Sequence, residues 1–174
     1  MYSNDDKHFM TLALQEAHTA LEQGDYPVGA AITVNGALWG TARNSLFTDG
    51  RTTAHAEHTL IYQLSAQLRT QFTEMPETAV CLYTTLEPCL MCLGIAVLHR
   101  VSRIVIACPD PNGGTTGLAL ASLGSVYQQW WPTIQFGLYQ EQACDLIIAF
   151  LKTKKFRSWA VMLREFETMK QGWG

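Results

Sequence analysis

The sequence is short of basic charge. Twelve Lys and Arg stand against fifteen Asp and Glu, a formal net charge of −3. That balance argues against tight nonspecific nucleic-acid binding, which draws its affinity from cations that neutralise phosphates. A local patch can outweigh the sum, and the only basic cluster is Lys152-Thr153-Lys154-Lys155-Phe156-Arg157. A solvated helix face is the ordinary explanation of such a run, with RNA contact as the sharper one. No apolar run reaches the length of a bilayer span, so no membrane association is expected. The N-terminal Met1-Tyr2-Ser3-Asn4-Asp5-Asp6 is polar and acidic, unlike a secretory leader. Internal repeats and low-complexity segments are missing, and Pro111-Asn112-Gly113-Gly114 is too short for an interdomain linker. The five cysteines are odd in number and irregularly spaced, a poor match to a disulfide framework; a reducing cytoplasm is expected. The composition, 48% hydrophobic and 16% charged, excludes a largely disordered chain. A length of 174 residues suits a single domain over 1–174 with one core.

What is present is a pair of short motifs: His55-Ala56-Glu57, then Pro88-Cys89-Leu90-Met91-Cys92. Cys89 and Cys92 are spaced i, i+3, which puts both thiols on one face of a helix. Pro88 fits just before or within a helix's first turn. Thiols there sit at the positive end of the helix dipole, which favours thiolates. His55 offers a third ligand from the start of a second helix, with Thr52 and Thr53 as candidate caps. A catalytic zinc takes three protein ligands and leaves a fourth position for water. Glu57 could lie beside that position and move protons between water, base and leaving group. The competing reading is a structural zinc completed by Cys81, Cys108 or Cys144. A lone C-x-x-C is weak evidence, since redox sites and zinc knuckles share it.

H-x-E with P-C-x-x-C is far more specific than either half, and together they form the known signature of zinc-dependent nucleobase deaminases. The stretches Tyr83-Thr84-Thr85-Leu86-Glu87-Pro88-Cys89-Leu90-Met91-Cys92, Pro27-Val28-Gly29-Ala30, Thr53-Ala54-His55-Ala56-Glu57 and Asp110-Pro111-Asn112-Gly113-Gly114-Thr115-Thr116-Gly117 resemble the cytidine/deoxycytidylate deaminase superfamily. Within it they resemble the bacterial tRNA adenosine deaminase branch. The resemblance runs over about 8–120 and weakens over 133–155. It implies His55, Cys89 and Cys92 as Zn²⁺ ligands and Glu57 as the proton shuttle. It places Asn44, Val28 and Ala56 against the base or sugar, and Asp110 in the loop bordering the pocket. It also implies a homodimer. The chain departs from the branch at Asn112, at Leu118-Ala119-Leu120 and at Trp130-Trp131-Pro132, and continues through an extension of about 157–174.

Periodicity supplies the frame. Met10, Leu14, Ala17 and Leu21 mark a helix over 5–23, ended by Gly24. Val28, Ala30, Ile32 and Val34 alternate, and Asn35-Gly36 signals a hairpin into a strand over 37–43. A polar loop over 44–53 leads to a helix over 54–68. Strand 79–85, a helix carrying Cys89 and Cys92 to His99, and strand 103–108 form a βαβ unit with parallel pairing. A loop over 109–117, a short helix over 116–124, a strand over 133–139 and a helix over 141–155 follow. Together these predict a three-layer α/β/α sandwich around a mixed five-stranded sheet, the cytidine deaminase-like arrangement. Phe156, Trp159, Met162, Leu163 and Phe166 predict a last helix packing on the core, with closure over the pocket or contact with a partner subunit as the sharper alternatives. Trp130 and Trp131 read as core, with base stacking as the lesser alternative. His58 is a possible neighbour of the metal, while His8, His18 and His99 are read as surface or helix-end residues.

Three functions fit. The resemblance points to adenosine-to-inosine conversion in a tRNA anticodon loop. The acidic balance and the altered 118–132 region fit a free base or nucleoside such as guanine, adenine or cytosine. The third is a non-catalytic deaminase-fold binding subunit, which would have no need of Glu57.

Overall fold

A computed structural model describes residues 1–155 and 157–173. Phe156, which belongs both to the basic cluster and to the apolar stripe of the last helix, lies outside the described residues, as does Gly174.

The chain runs α1 (Asn4–Glu22), β1 (Gly29–Val34), β2 (Ala37–Arg43), α2 (Ala56–Glu74), β3 (Val80–Leu86), α3 (Leu90–Leu98), β4 (Arg103–Cys108), α4 (Ser125–Gln129), β5 (Thr133–Phe136), α5 (Gln140–Lys152) and α6 (Arg157–Gln171). The five strands form one sheet in the order β2-β1-β3-β4-β5. β1 pairs antiparallel with β2 and with β3, whereas β3–β4 and β4–β5 are parallel. Helices α1 and α5 pack against each other and on the sheet, α2 packs on the sheet and against α3, and α6 packs on α5. The expected mixed five-stranded α/β sandwich is what the chain forms.

One consequence of the pairing positions everything that follows. Two antiparallel steps separate β2 from β3, so β2, β3, β4 and β5 all run the same way and only β1 runs against them. The segments leaving β2, β3 and β4 therefore emerge at one end of the sheet, and the segment entering β1 arrives there too. Open α/β sheets bind ligands at such carboxyl ends.

Strand β1 is buried along its whole length rather than on one face. Its second face carries Gly29, Ala31 and Thr33, small enough for a helix to lie close. A Cβ on Gly29 would overlap the backbone of Ala13 and Ala17, so α1 can approach only over glycine. Asn35 and Gly36 take positive φ, 49° and 81°, as a two-residue hairpin turn requires. Gly24, at φ 82°, follows α1 as expected.

Other boundaries differ from the sequence reading. Helix α2 begins at Ala56 with His55 itself as N-cap, not Thr52 or Thr53, and continues to Glu74, where Phe72 still packs partly buried against the core. The expected helix over 116–124 is only a 3₁₀ turn, Leu120–Ser122, with a short α4 after it. That region has no buried residues to hold a longer helix. Strand β5 stops at Phe136, where Gly137 turns at φ 102°.

Asp6 ties the first helix to the sheet. It closes a capping box with Ser3 and accepts hydrogen bonds from the Tyr83 hydroxyl at 2.9 Å and from Arg103 Nη1 at 2.6 Å. The Arg103 guanidinium, before any other influence, holds this buried carboxyl well below the usual carboxylate range. A depressed carboxylate stabilises the fold above its unfolded pKa and loses that contribution as pH falls through the folded value. Asp6→Asn is therefore expected to cost about 2 kcal/mol at pH 7. The gap to the parent should narrow progressively below about pH 4; urea unfolding at several pH values measures it.

Candidate active site

Three donors meet where α2 and α3 begin. His55 Nδ1 lies 3.6 Å from Cys89 Sγ and 3.6 Å from Cys92 Sγ. One ligand atom from each residue falls within 4.8 Å of the others. The arrangement follows from the helix starts: His55 is the N-cap of α2, Cys89 the N-cap of α3, and Cys92 lies in the first turn of α3. Neither cap side chain bonds its own helix's amides, so both remain available to a ligand.

The donor set can be tested against zinc by distance alone. Zn–S of about 2.3 Å and Zn–N of about 2.0–2.1 Å at a tetrahedral angle give an S···N edge of about 3.6 Å. Both observed edges match, so the three side chains are spaced for a tetrahedral zinc. Cys81, Cys108 and Cys144 are not in this cluster. A structural site completed by a further cysteine is thus not built by the described residues. Cys108 and Cys144 are buried thiols as expected, and Cys81 is half-buried beside Arg103.

Electrostatics at the cluster favour an anionic ligand. The Cys89 thiol is pulled down to about 3, first by Cys92 and then, against its own burial, by His55. Cys92 is pushed the other way by Cys89 and by burial, so Cys89 carries the negative charge of the metal-free pair.

Glu57 is buried, in the first turn of α2, and burial raises its pKa. The Thr84 hydroxyl lies 3.3 Å from Glu57 Oε1 and 3.0 Å from the Leu86 carbonyl. The backbone N–H of Glu57 itself and the Cys92 thiol also hydrogen-bond the Glu57 carboxylate and oppose the effect of burial. A carboxylate whose proton affinity is raised by burial is suited to taking up and releasing a proton.

The cluster opens into a cavity of about 530 Å³. His55, Glu57, Cys89, Asn44, Val28 and Asp110 all line it, whereas Cys92, fully buried behind the cluster, and Ala56 do not. Ala56 is fully buried between His55 and Glu57. Asn44 is buried and orders the loop after β2 by accepting from the Leu46 amide at 3.0 Å. His58 instead stacks on Tyr62 along α2, with ring centroids 6.3 Å apart. Trp130 lies under the Arg100 guanidinium, 4.6 Å from its ring centre, outside the cavity lining.

Several contributors escaped the sequence reading. Glu87 lies inside the Leu86-Glu87-Pro88-Cys89 stretch, yet no role was legible there. Its carboxylate accepts from the Asp110 amide at 3.1 Å, the Thr116 amide at 3.0 Å and the Thr116 hydroxyl at 2.5 Å, which pins the 109–117 loop over the site. An acid placed directly between a buried strand and Pro-Cys was the available signal. Asp25, fully buried, anchors the loop after β2 through the Phe47 amide at 2.6 Å and the Thr48 hydroxyl at 2.7 Å. Tyr26, Leu46, Phe47, Trp159 and Met162 add to the walls, as do Leu86, Glu87, Asn112 and Gly113. Trp159 and Met162 come from α6, so that helix both buries Phe166 in the core and closes one side of the cavity.

The basic cluster is partly spent on local contacts. Lys152 pairs with Glu167 at 3.6 Å, and Lys154 Nζ sits 4.0 Å from the Phe150 ring centre.

Comparison with known proteins follows the same lines. Residues 3–108 match the model of the cytidine and deoxycytidylate deaminase zinc-binding region. The chain is 34% identical over 147 residues to the tRNA-specific adenosine deaminase of Bacillus subtilis strain 168, covering 84% of this chain and 89% of that one. It is 38% identical over 108 residues to the tRNA-specific adenosine deaminase of Aquifex aeolicus strain VF5, covering 62% and 69%. Among solved structures, one from work on A-to-I editing by tRNA deaminases at the wobble position aligns with TM-score 0.57 at 30% identity, over 75% of this chain and 97% of that one. A guanine deaminase from Nitrosomonas europaea aligns with TM-score 0.67 at 21% identity, over 86% and 85%, a likeness of fold.

The pinning of the 109–117 loop is testable. A Cβ on Gly114 would overlap the Glu87 carboxylate and the Asp110 carbonyl. Gly114→Ala and Glu87→Gln are both expected to raise amide hydrogen exchange across 109–117 while leaving bound metal unchanged. Unaltered exchange in both variants would show that Glu87 does not hold the loop.

Proposed function

The chain belongs to the cytidine and deoxycytidylate deaminase family, and from that premise we propose that it converts adenosine to inosine in a tRNA anticodon loop. The observation that carries the chemistry is the His55–Cys89–Cys92 cluster at tetrahedral spacing with the buried Glu57 beside it in one cavity. The substrate class is supported by the tRNA-specific relatives, which align over most of this chain.

In this reading His55, Cys89 and Cys92 hold zinc, which when bound supplies the Lewis acidity that makes water nucleophilic at neutral pH. Glu57 takes a proton from the attacking water and delivers it to the ring nitrogen next to the carbon under attack. It then passes the water's second proton to the exocyclic nitrogen. The C–N bond breaks, ammonia leaves, and the carbon keeps the water oxygen as a carbonyl. Asn44 and the Ala56 amide orient the base, Val28 packs on its face, and Asp110 borders the mouth. The start of α3 presents backbone N–H groups that stabilise negative charge as it develops. Residues 1–174 are taken as one deaminase unit with α6 as its extension. The homodimer implied by the family resemblance is part of the proposal; Leu90 and Leu98, exposed on α3, are apolar surface it could use. No described helix is long and apolar enough to cross a membrane.

One observation favours a second reading. Trp159 and Met162 close a side of the cavity, which suits a free base or nucleoside better than a nucleotide still joined to its loop.

The test is ammonia release by the zinc-loaded protein. The panel holds an anticodon stem-loop carrying adenosine, free guanine, adenine and cytosine, and their nucleosides. Stem-loop turnover is expected, and turnover confined to a free base or nucleoside would establish the second reading. Glu57→Ala should keep one zinc per chain and lose about 10²–10⁴-fold in rate; His55→Ala and Cys89→Ala should lose the metal. An active Glu57→Ala protein would refute the role of Glu57.

A further inference from the structure

The cavity has an inner wall and a rim of different character. Val28, Asn44, Glu57 and Leu86 line it at only 3–6% exposure and form the inner wall. Phe47 lines it at 48% exposure, and Trp159 and Met162 line it half-buried. Among the described residues, Phe47 is the one exposed large apolar side chain in the lining. It is not loose. Buried Asp25 accepts from its amide at 2.6 Å and from the Thr48 hydroxyl at 2.7 Å. A ring fixed in water at a cavity mouth forgoes the burial that a core position would give it.

Trp159 continues the same surface. Its ring centre is 6.5 Å from that of Phe47, with the planes tilted 53°, and both rings meet Phe150. Rings at that angle make one continuous apolar face, unlike the parallel walls of a slot. The reacting base belongs at the inner wall, where its amine-bearing edge meets Glu57 and the metal ligands. What reaches the rim is whatever that base is joined to. A sugar offers hydroxyls that Phe47 and Met162 cannot pair. A neighbouring base offers a π-face, which stacks on aromatic side chains whatever its sequence. A cation stands beside the same ring: Lys154 Nζ is 5.0 Å from the Phe47 ring centre and has no carboxylate partner among the described residues. A phosphate joining two nucleotides would be neutralised there.

We propose that Phe47 and Trp159 are specificity-determining residues that stack on the base next to the reacting nucleotide. The rim thereby selects an oligonucleotide over an isolated nucleoside. The inference rests on the tRNA reading above.

Stem-loops missing one base test it. The zinc-loaded parent protein is given the anticodon stem-loop carrying adenosine and two versions of it, abasic at the nucleotide on the 5′ or the 3′ side of that adenosine. On one of the two, kcat/KM should fall roughly tenfold, chiefly through KM. Trp159→Leu and Phe47→Leu should each lower kcat/KM on the intact loop by a similar factor and lose far less on that abasic loop, because the stacked partner is already gone. Trp159→Phe keeps a ring and should recover most of the loss. Phe47→Leu, in a loop, still reports on the rim if Trp159→Leu unfolds α6. A parent indifferent to both abasic sites would overturn the proposal without any variant. Variants that lose equally on intact and abasic loops, as damaged packing of α6 would cause, would also overturn it. So would variants that gain on the intact loop, as removal of an obstructing wall would cause. A parent active only on free bases or nucleosides would sink the tRNA reading itself, and this inference with it.

Discussion

The site depends on the shared direction of β2, β3 and β4. Because β1 is the one reversed strand, the turns leaving β2 and β3 both discharge at the same end of the sheet. The two helices that follow start there side by side. His55 and Cys89 are the N-caps of those helices, so their meeting is a property of topology before it is one of side-chain chemistry. The same end receives Tyr26 and Val28 on the way into β1, Asn44 on the way out of β2, and Asp110 on the way out of β4. Of the six stretches of chain that line the cavity, five are thereby delivered by one rule of strand direction, and α6 supplies the sixth.

Helix starts also set the electrostatics. Positive dipole ends favour anions, and two of them converge on the thiols and on Glu57. Burial works the other way on Glu57, raising its affinity for a proton. The outcome is a division of labour: two cysteines sharing one negative charge with an imidazole, a donor set suited to a divalent metal, beside a carboxyl suited to picking up and releasing protons. Around them lie carboxylates with no direct chemical part. Glu87 and Asp25 hold the two loops that form the rim, each by accepting several hydrogen bonds at once.

Much of this was legible in the sequence because it is local. The metal ligands lie in two short motifs whose spacing maps directly onto helix starts. The strands of the βαβ unit are continuous apolar runs, and Asn35-Gly36 admits few structures other than a tight hairpin. What was illegible depends on distant parts of the chain meeting. Nothing near Trp159 announces that α6 reaches the cavity; the helical stripe favoured core packing over closure of the pocket, and the structure uses it for both. Glu87 acts through a loop more than twenty residues away in sequence. The stretch 116–129 lacks a buried face, so its short helical turns left no periodic signal. Thr52 and Thr53 looked like caps by residue type, but capping by His55 suits the site better, since it places the imidazole at the helix start.

The central claim is that one imidazole and two thiols hold a zinc with one position left open. X-ray absorption at the zinc edge of the purified protein tests it most directly. The account predicts two sulfurs at about 2.3 Å and two lighter atoms at about 2.0–2.1 Å, one from His55 and one from solvent. Three or four sulfurs, or no sulfur at all, would contradict it.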